Sequence, residues 1–303
     1  MYQYVLRRLI AMIPVLLIIS AATFALMSLV IGDPVLMIVG QDASLDEAGI
    51  ERMRQELGLN RPLPVQYLDW LRHTVTGDLG RSFRMPMPVT ELIVSRLPVT
   101  LELMVLGLLL PIVIAIPLGI VAALRPGSVL DLGVSALAVV TLSIPNFWLG
   151  ILLITLFALK LGWLPSSGFV PFRDDPLQNL KLMVLPSITL SAFYMGVLVR
   201  YTRSVMLDVL GQDYVRTARA KGLSARTVVG YHAARNALLP IVTVIGFEVA
   251  SLFGGAVVTE SVFSLPGVGT LLMQAILGRD LPVVQGIVLF IVTAVVVTNL
   301  VTD

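Results

Sequence analysis

The stretch Asp213-Tyr214-Val215-Arg216-Thr217-Ala218-Arg219-Ala220-Lys221-Gly222 decides how this chain is read. It is the centre of a polar, basic segment, Arg200 to Pro240, that falls between apolar runs in the second half of the sequence. Asp213 suits an N-cap and Gly222 suits the residue just past a helix end, so the pattern predicts a short helix between them. At ~1.5 Å per residue that helix would be roughly 13 Å long. Ser224 is placed to cap a second short helix running toward Leu238-Leu239-Pro240. A helix–glycine–helix unit across the base of a membrane domain has a shape that another protein can grip.

The membrane itself follows from composition. The chain is 57% hydrophobic and 13% charged, with a mean hydropathy of +0.92. A soluble domain would carry about 25% charged residues. Cysteine is absent, which excludes a disulfide framework, a thiolate metal site and a cysteine nucleophile.

A bilayer core of ~30 Å needs about 20 apolar residues in helix. Six runs meet that length, at about residues 9–31, 100–124, 132–159, 182–200, 236–259 and 282–302. The first follows Arg7-Arg8, but it is too long for the apolar core of a signal peptide and no small-residue cleavage pattern follows it. The sequence therefore predicts an all-α membrane protein with six transmembrane helices in a single domain, 1–303.

Basic residues orient it. Residues 200–235 hold seven, Arg200, Arg203, Arg216, Arg219, Lys221, Arg226 and Arg235, against two acidic ones, Asp208 and Asp213. That loop, 201–235 between the spans, is predicted to be cytoplasmic, and four preceding spans put the N-terminus on the same side. The long segment 33–97 is then external. It has seven basic and nine acidic residues and so shows no inward bias. It is expected to be folded: Ile50, Met53 and Leu57 share a helical face behind Ser44 or Asp46 as cap. Gly58 and Pro62 close that helix, Tyr67, Leu68 and Leu71 form a second amphipathic piece, and Gly77-Asp78-Leu79-Gly80 turns the chain.

Little here points to enzymatic chemistry. No Gly-Lys dipeptide exists, so there is no phosphate-binding P-loop, and neither H-E-x-x-H nor G-x-S-x-G occurs. His73 and His232 fall on opposite sides of the predicted membrane and cannot share a metal.

The basic loop resembles the EAA loop of the membrane subunits of binding-protein-dependent ABC importers. Arg216-Thr217-Ala218, a gap of three residues, Gly222 and the closing Leu239-Pro240 fit that frame. Arg216 stands where the motif is acidic, and the interval to Pro240 is long. Both departures are in keeping with the dipeptide/oligopeptide/nickel permease B branch. Further matching pieces are Glu56 to Pro62, Gln66-Tyr67, Trp70 and Gly77 to Ser82, and, before the last span, Glu260 to Phe263, Pro266-Gly267-x-Gly269 and Arg279-Asp280-Leu281-Pro282. The resemblance implies a type I importer permease of a bacterial cytoplasmic membrane. It implies four kinds of partner: a second homologous permease, two ABC ATPases, an extracytoplasmic solute-binding protein and membrane lipid. Nucleic acid is not among them. It implies no cofactor in this chain, ATP and magnesium being held by the ATPases. The coupling residues it implies are Asp213, Tyr214, Arg216, Thr217, Ala218, Arg219, Lys221 and Gly222. Peptides are the implied cargo, with nickel or glutathione as branch alternatives. A short basic continuation beyond Asp303 is also implied.

Two readings of the basic loop are open: docking of an ATPase, or orientation and contact with anionic lipid alone. Charge explains either. A capped helix, a glycine break and a closing Leu-Pro favour docking. Glu248 is read as the one carboxylate deep in a span, with Ser251 and Gly255 at helical spacing. A charge facing lipid costs at least about 2.5 kcal/mol. This face, with Asn146, therefore lines a translocation path or packs against a second subunit. Ser143-Ile144-Pro145-Asn146 and Pro186-Ser187 mark bends that serve a gate or simple packing. A self-contained secondary transporter would show related halves and several intramembrane charges, and the chain shows neither.

Overall fold

The computed structural model describes residues 2–30, 35, 47–56 and 58–302. Among them the only β-pairing is an isolated bridge between Arg81 and Pro88. The helices are α1 (Tyr2–Val30), α2 (Glu47–Glu56), α3 (Leu63–Val75), α4 (Val89–Leu124), α5 (Val129–Ser143) and α6 (Asn146–Leu153). The last continues as a π-helical stretch, Ile154–Lys160. There follow α7 (Pro176–Leu210), α8 (Asp213–Ala220), α9 (Ala225–Phe263), α10 (Val268–Gly278) and α11 (Leu281–Thr302).

Among the described residues, four helices are long and apolar enough to cross a membrane: α4, α7, α9 and α11. The predicted single span 132–159 is instead a bent pair, α5 and α6, turned by 104°. The cause is local. Ile144 is extended (φ −86°, ψ 123°), as the residue before a proline prefers, and Pro145 caps the next helix. In α1 the described apolar stretch, Ile10–Ala25, is shorter than a span.

Span boundaries also move. Asp175 accepts a hydrogen bond from the Gln178 N–H at 3.0 Å, and Pro176 takes the first helical position. Helix α7 therefore starts well before Leu182 and runs for 35 residues. Pro186 lies within it and does not open it. The second short helix expected after Ser224 is not separate either. It passes through a π-helical segment, Val228–Ala233, into the long α9, with Pro240 inside.

The chain divides into two compact units. One comprises Met1–Pro98 and Thr270–Leu300. In it α2 ends at Gly58 (φ +67°), as expected, while the proposed caps Ser44 and Asp46 and the apolar Leu57 lie outside the described residues. Tyr67 and Trp70 of α3 pack on Phe24, with ring centroids 5.6 and 5.9 Å away. Tyr67 Oη lies 2.9 Å from Ser20 Oγ. Leu68, expected on this inner face, is 61% exposed. Tyr67 and Trp70, both half-buried, form the packed side of α3, and Leu68 points away.

The second unit comprises Val99–Gly269 and Val301–Asp303. Helix α7 is the most enclosed of its long helices: 72% of its most apolar stretch is buried, against 28% for α4 and for α9. Its core includes Ala115, Ala123, Ala138, Ala233 and Ala237 around Leu198, Met206 and Ile241. Small residues let helices approach closely, which is how packing is gained without a hydrophobic drive inside lipid.

Candidate functional site

The basic loop is a built structure. Its helix α8 is capped by Gln212, whose side chain makes no capping bond, so Asp213 is the first helical residue and not the cap. The Asp213 carboxylate instead accepts from Arg216, one turn on, with both side chains exposed. Asp213 still sits where a negative charge favours the helix dipole. At the other end Gly222 has φ +76°. Its N–H donates to Arg219 O at 2.9 Å, and the Leu223 N–H donates to Ala218 O at 3.4 Å. Those two bonds close a Schellman motif, which needs a left-handed residue at Gly222. Ser224 Oγ then accepts from the Thr227 N–H at 3.3 Å, as expected of a cap.

The helix has two faces. Val215 and Ala218 are buried against Val228, with Leu210 alongside. The other residues expected to couple, Asp213, Tyr214, Arg216, Thr217, Arg219, Lys221 and Gly222, are exposed. Ala218 thus holds the helix in place and presents nothing outward. Asn236 Nδ2 donates to Tyr214 Oη at 2.9 Å, tying α8 to α9. Beside it the Arg235 guanidinium lies 5.8 Å from the Tyr231 ring centroid.

A partly buried ion pair lies next to the loop. Arg203 Nε donates to Asp131 Oδ1 at 2.5 Å and Arg203 Nη2 to Asp131 Oδ2 at 2.7 Å. The Asp131 side chain is 3% exposed, and it also accepts from the Gly127 N–H at 2.9 Å. Ser128 caps α5 by accepting from the Asp131 N–H at 3.2 Å. Arg203 had counted only as orienting charge. The Ser128-x-x-Asp131 spacing was a visible capping signal.

The four residues assigned to a translocation face do not form one cluster. Asn146 and Gly255 line a cavity of about 390 Å³ with Leu142, Pro145, Phe147 and Phe193. Ser251 and Glu248 lie one and two turns away along α9. There Ser251 Oγ donates to Glu248 O at 2.9 Å and lies 3.4 Å from Glu248 Oε2. Tyr194, which sequence reasoning passed over, reaches the same place. A Cβ on Gly255 would lie 3.2 Å from its hydroxyl and 2.8 Å from Leu190 Cδ1.

Glu248 is also not alone among carboxylates in α9. The helix extends to Phe263 and so includes Glu260, which is fully buried. Thr100 Oγ1 donates to Glu260 Oε1 at 2.6 Å and accepts from the Val268 N–H at 2.8 Å. A Cβ on Gly267 would sit 2.2 Å from the Glu260 carboxyl carbon, which explains the glycine.

Comparison with known proteins places this geometry. Residues 115–303 match the family described as binding-protein-dependent transport system inner membrane component, and residues 1–104 match its N-terminal region. A Brucella suis biovar 1 protein named as a peptide transport system permease is 48% identical over 303 residues, covering 100% of this chain and 96% of the relative. The oligopeptide transport system permease AppB of Bacillus subtilis is 41% identical, with the same 100% and 96% coverage. The dipeptide transport system permease DppB of Escherichia coli K12 is also 41% identical, again over 100% of this chain and 96% of the relative. Among solved structures, a chain of the MetNI methionine ABC transporter in inward-facing form has a TM-score of 0.58 at 21% identity. It covers 72% of this chain and 96% of that one, and shares the fold. The chain belongs to the binding-protein-dependent transport system inner membrane components, the permeases of ABC importers, and is a multi-pass protein of the inner membrane.

Proposed function

We propose that this chain is one of two permease subunits of an ATP-driven importer of di- or oligopeptides, and that its basic loop is the seat of an ATPase subunit. The observation that carries this is the two-faced α8. Its inner face, Val215 and Ala218, is packed on its own chain, while its outer face offers Tyr214, Arg216, Thr217, Arg219 and Lys221 to solvent. A loop that only oriented the protein by charge would need no Schellman closure, no serine cap and no Tyr214–Asn236 tie. Peptide cargo is supported by the names of relatives that this chain matches end to end.

In this reading α1, α4, the α5–α6 pair, α7, α9 and α11 make six crossings, with the N-terminus and residues 201–235 in the cytoplasm. The external segment 33–97 and the turn before α11 receive a peptide-loaded binding protein. Nucleotide closes the ATPase pair, displaces α8, and switches the path between its two openings. ATP and magnesium stay on the partner subunits. The path runs between the two permeases, with the Glu248–Ser251–Gly255 face and Asn146 along it.

The test is reconstitution of this chain with a second permease, ATPases and a binding protein in proteoliposomes. ATP-dependent uptake of a labelled dipeptide or oligopeptide is expected. Uptake of a nickel chelate or glutathione in its place would move the cargo within the branch. Uptake by this chain alone, without ATPase, would overturn the reading.

A further inference from the structure

We propose that Asp131 and Arg203 are positioning residues which make α7 a connecting rod between the coupling loop and the break in the α5–α6 pair. The proposal rests on the coupling-loop reading above and adds the path by which motion leaves that loop.

The rod begins at α8. Only Gly211 and Gln212 separate α8 from the end of α7 at Leu210, and the buried Val215–Val228 contact takes in Leu210 itself. A push on α8 is therefore delivered to the last turn of α7. About 10 Å up that helix, at ~1.5 Å per residue, stands Arg203. Its two-pronged bond to Asp131 fastens α7 to the first turn of α5. Bidentate guanidinium–carboxylate pairs fix orientation as well as distance. Asp131 is also gripped by the Gly127 N–H, so the turn before α5 is held too.

About 10 Å further along α7 is Gly196, again at ~1.5 Å per residue. Here the two helices touch so closely that a Cβ would lie 2.5 Å from Thr141 Oγ1, 2.8 Å from Ala138 O and 2.9 Å from Leu142 Cγ. Leu142 and Ser143 are the last residues before the Ile144–Pro145 break and line the 390 Å³ cavity. Helix α5 is thus fastened to α7 at both ends, by charge at Asp131 and by close packing at Ala138–Leu142. Two fastenings on one rigid helix make α5 and α7 move as one body. Packed, rigid elements of this kind carry coupling between sites. A single fastening at Gly196 would leave a pivot, and motion of α8 would be absorbed as rotation about it.

The chain has no native cysteine, so labels are introduced cleanly. Nitroxides on Gln212→Cys and Ser143→Cys, both exposed positions, report the length of the rod in the reconstituted complex. The expected result is one narrow distance, unchanged between nucleotide-free and nucleotide-bound states. In Arg203→Lys, which keeps the charge and loses the fork, that distance should broaden and become nucleotide-dependent. Peptide uptake per ATP hydrolysed should fall about tenfold, within the range typical of coupling between sites. A purely structural role would lower the amount of complex recovered and leave that ratio alone. Asp131→Glu, which restores a carboxylate, should recover more of the ratio than Asp131→Asn. The rod is overturned if Arg203→Lys matches the parent in both distance and ratio, or if the parent distance itself changes with nucleotide. Absence of any ATPase in the purified complex would instead remove the coupling reading beneath it.

Discussion

Ser82 Oγ donates a hydrogen bond to Asp280 Oδ2, joining two loops 198 residues apart. The other carboxylate oxygen accepts from the Phe83 N–H at 3.1 Å. Ser82 Oγ in turn accepts from the N–H groups of Arg84 and Met85, at 3.1 and 2.8 Å. Asp280 is 2% exposed, and the residue before it, Arg279, holds a left-handed φ of 56°. One buried carboxylate therefore organises the turn at Gly80–Met85 and ties it to the start of α11.

Asp280→Ala would leave the Ser82 hydroxyl and the Phe83 N–H without their acceptor. An unsatisfied buried donor costs about 1–3 kcal/mol. The variant is expected to lose that much stability and to become sensitive to protease between Gly77 and Pro88, while Asp280→Asn keeps part of both. Thermal melting in detergent and limited proteolysis check this.

Helix α8 gives two predictions that separate shape from contact. Gly222 has open space around it, so Gly222→Ala suffers only the left-handed backbone, roughly 1–2 kcal/mol. Gly222→Asn should be milder, because asparagine tolerates that conformation. Both are expected to insert in the membrane with reduced uptake. Ala218→Asp acts differently. It drives a carboxylate into the Val215–Val228–Leu210 contact and should detach α8 from its own chain. Protease sensitivity of the loop should rise in Ala218→Asp and stay near that of the parent in Gly222→Asn.

The Glu260 site is packed without slack. Gly267→Ala places a methyl group onto the Glu260 carboxylate and should cost about 1–3 kcal/mol by overpacking. Thr100→Val removes a hydroxyl that both donates to Glu260 and accepts from Val268, and should destabilise to a similar extent, about 1–3 kcal/mol. Melting temperatures of the two single variants decide it.

Glu248 carries the translocation proposal. Glu248→Gln and Glu248→Ala are both expected to lower peptide uptake with complex assembly intact. Full uptake in both would take this residue out of the path.

Much of the fold was legible because lipid imposes simple rules. Long apolar runs marked the four long apolar helices α4, α7, α9 and α11, and Gly222, Ser224 and Gly58 sit where their backbone chemistry requires. The misses share a cause. Hydropathy locates the apolar part of a helix, not its ends, so the Asp175–Pro176 start of α7 lay outside the predicted span. Pro145 marks a bend in the sequence, but a 104° break needs the extended Ile144 before it. Pairings distant in sequence, Asp131 with Arg203 and Thr100 with Glu260, leave no periodic trace. Ser82 and Asp280 each stood in a recognised motif, yet nothing in either motif names the other.

The most direct test of the central claim is cysteine cross-linking of the coupling loop in the assembled complex. Single variants Arg216→Cys, Arg219→Cys and Lys221→Cys are compared with Asp69→Cys on α3, all in a chain without native cysteine. The account predicts adducts between the three loop positions and an ATPase subunit, changing in yield with nucleotide, and none from Asp69→Cys. No adduct from any loop position in a complex that hydrolyses ATP, or equal yield from Asp69→Cys, would contradict it.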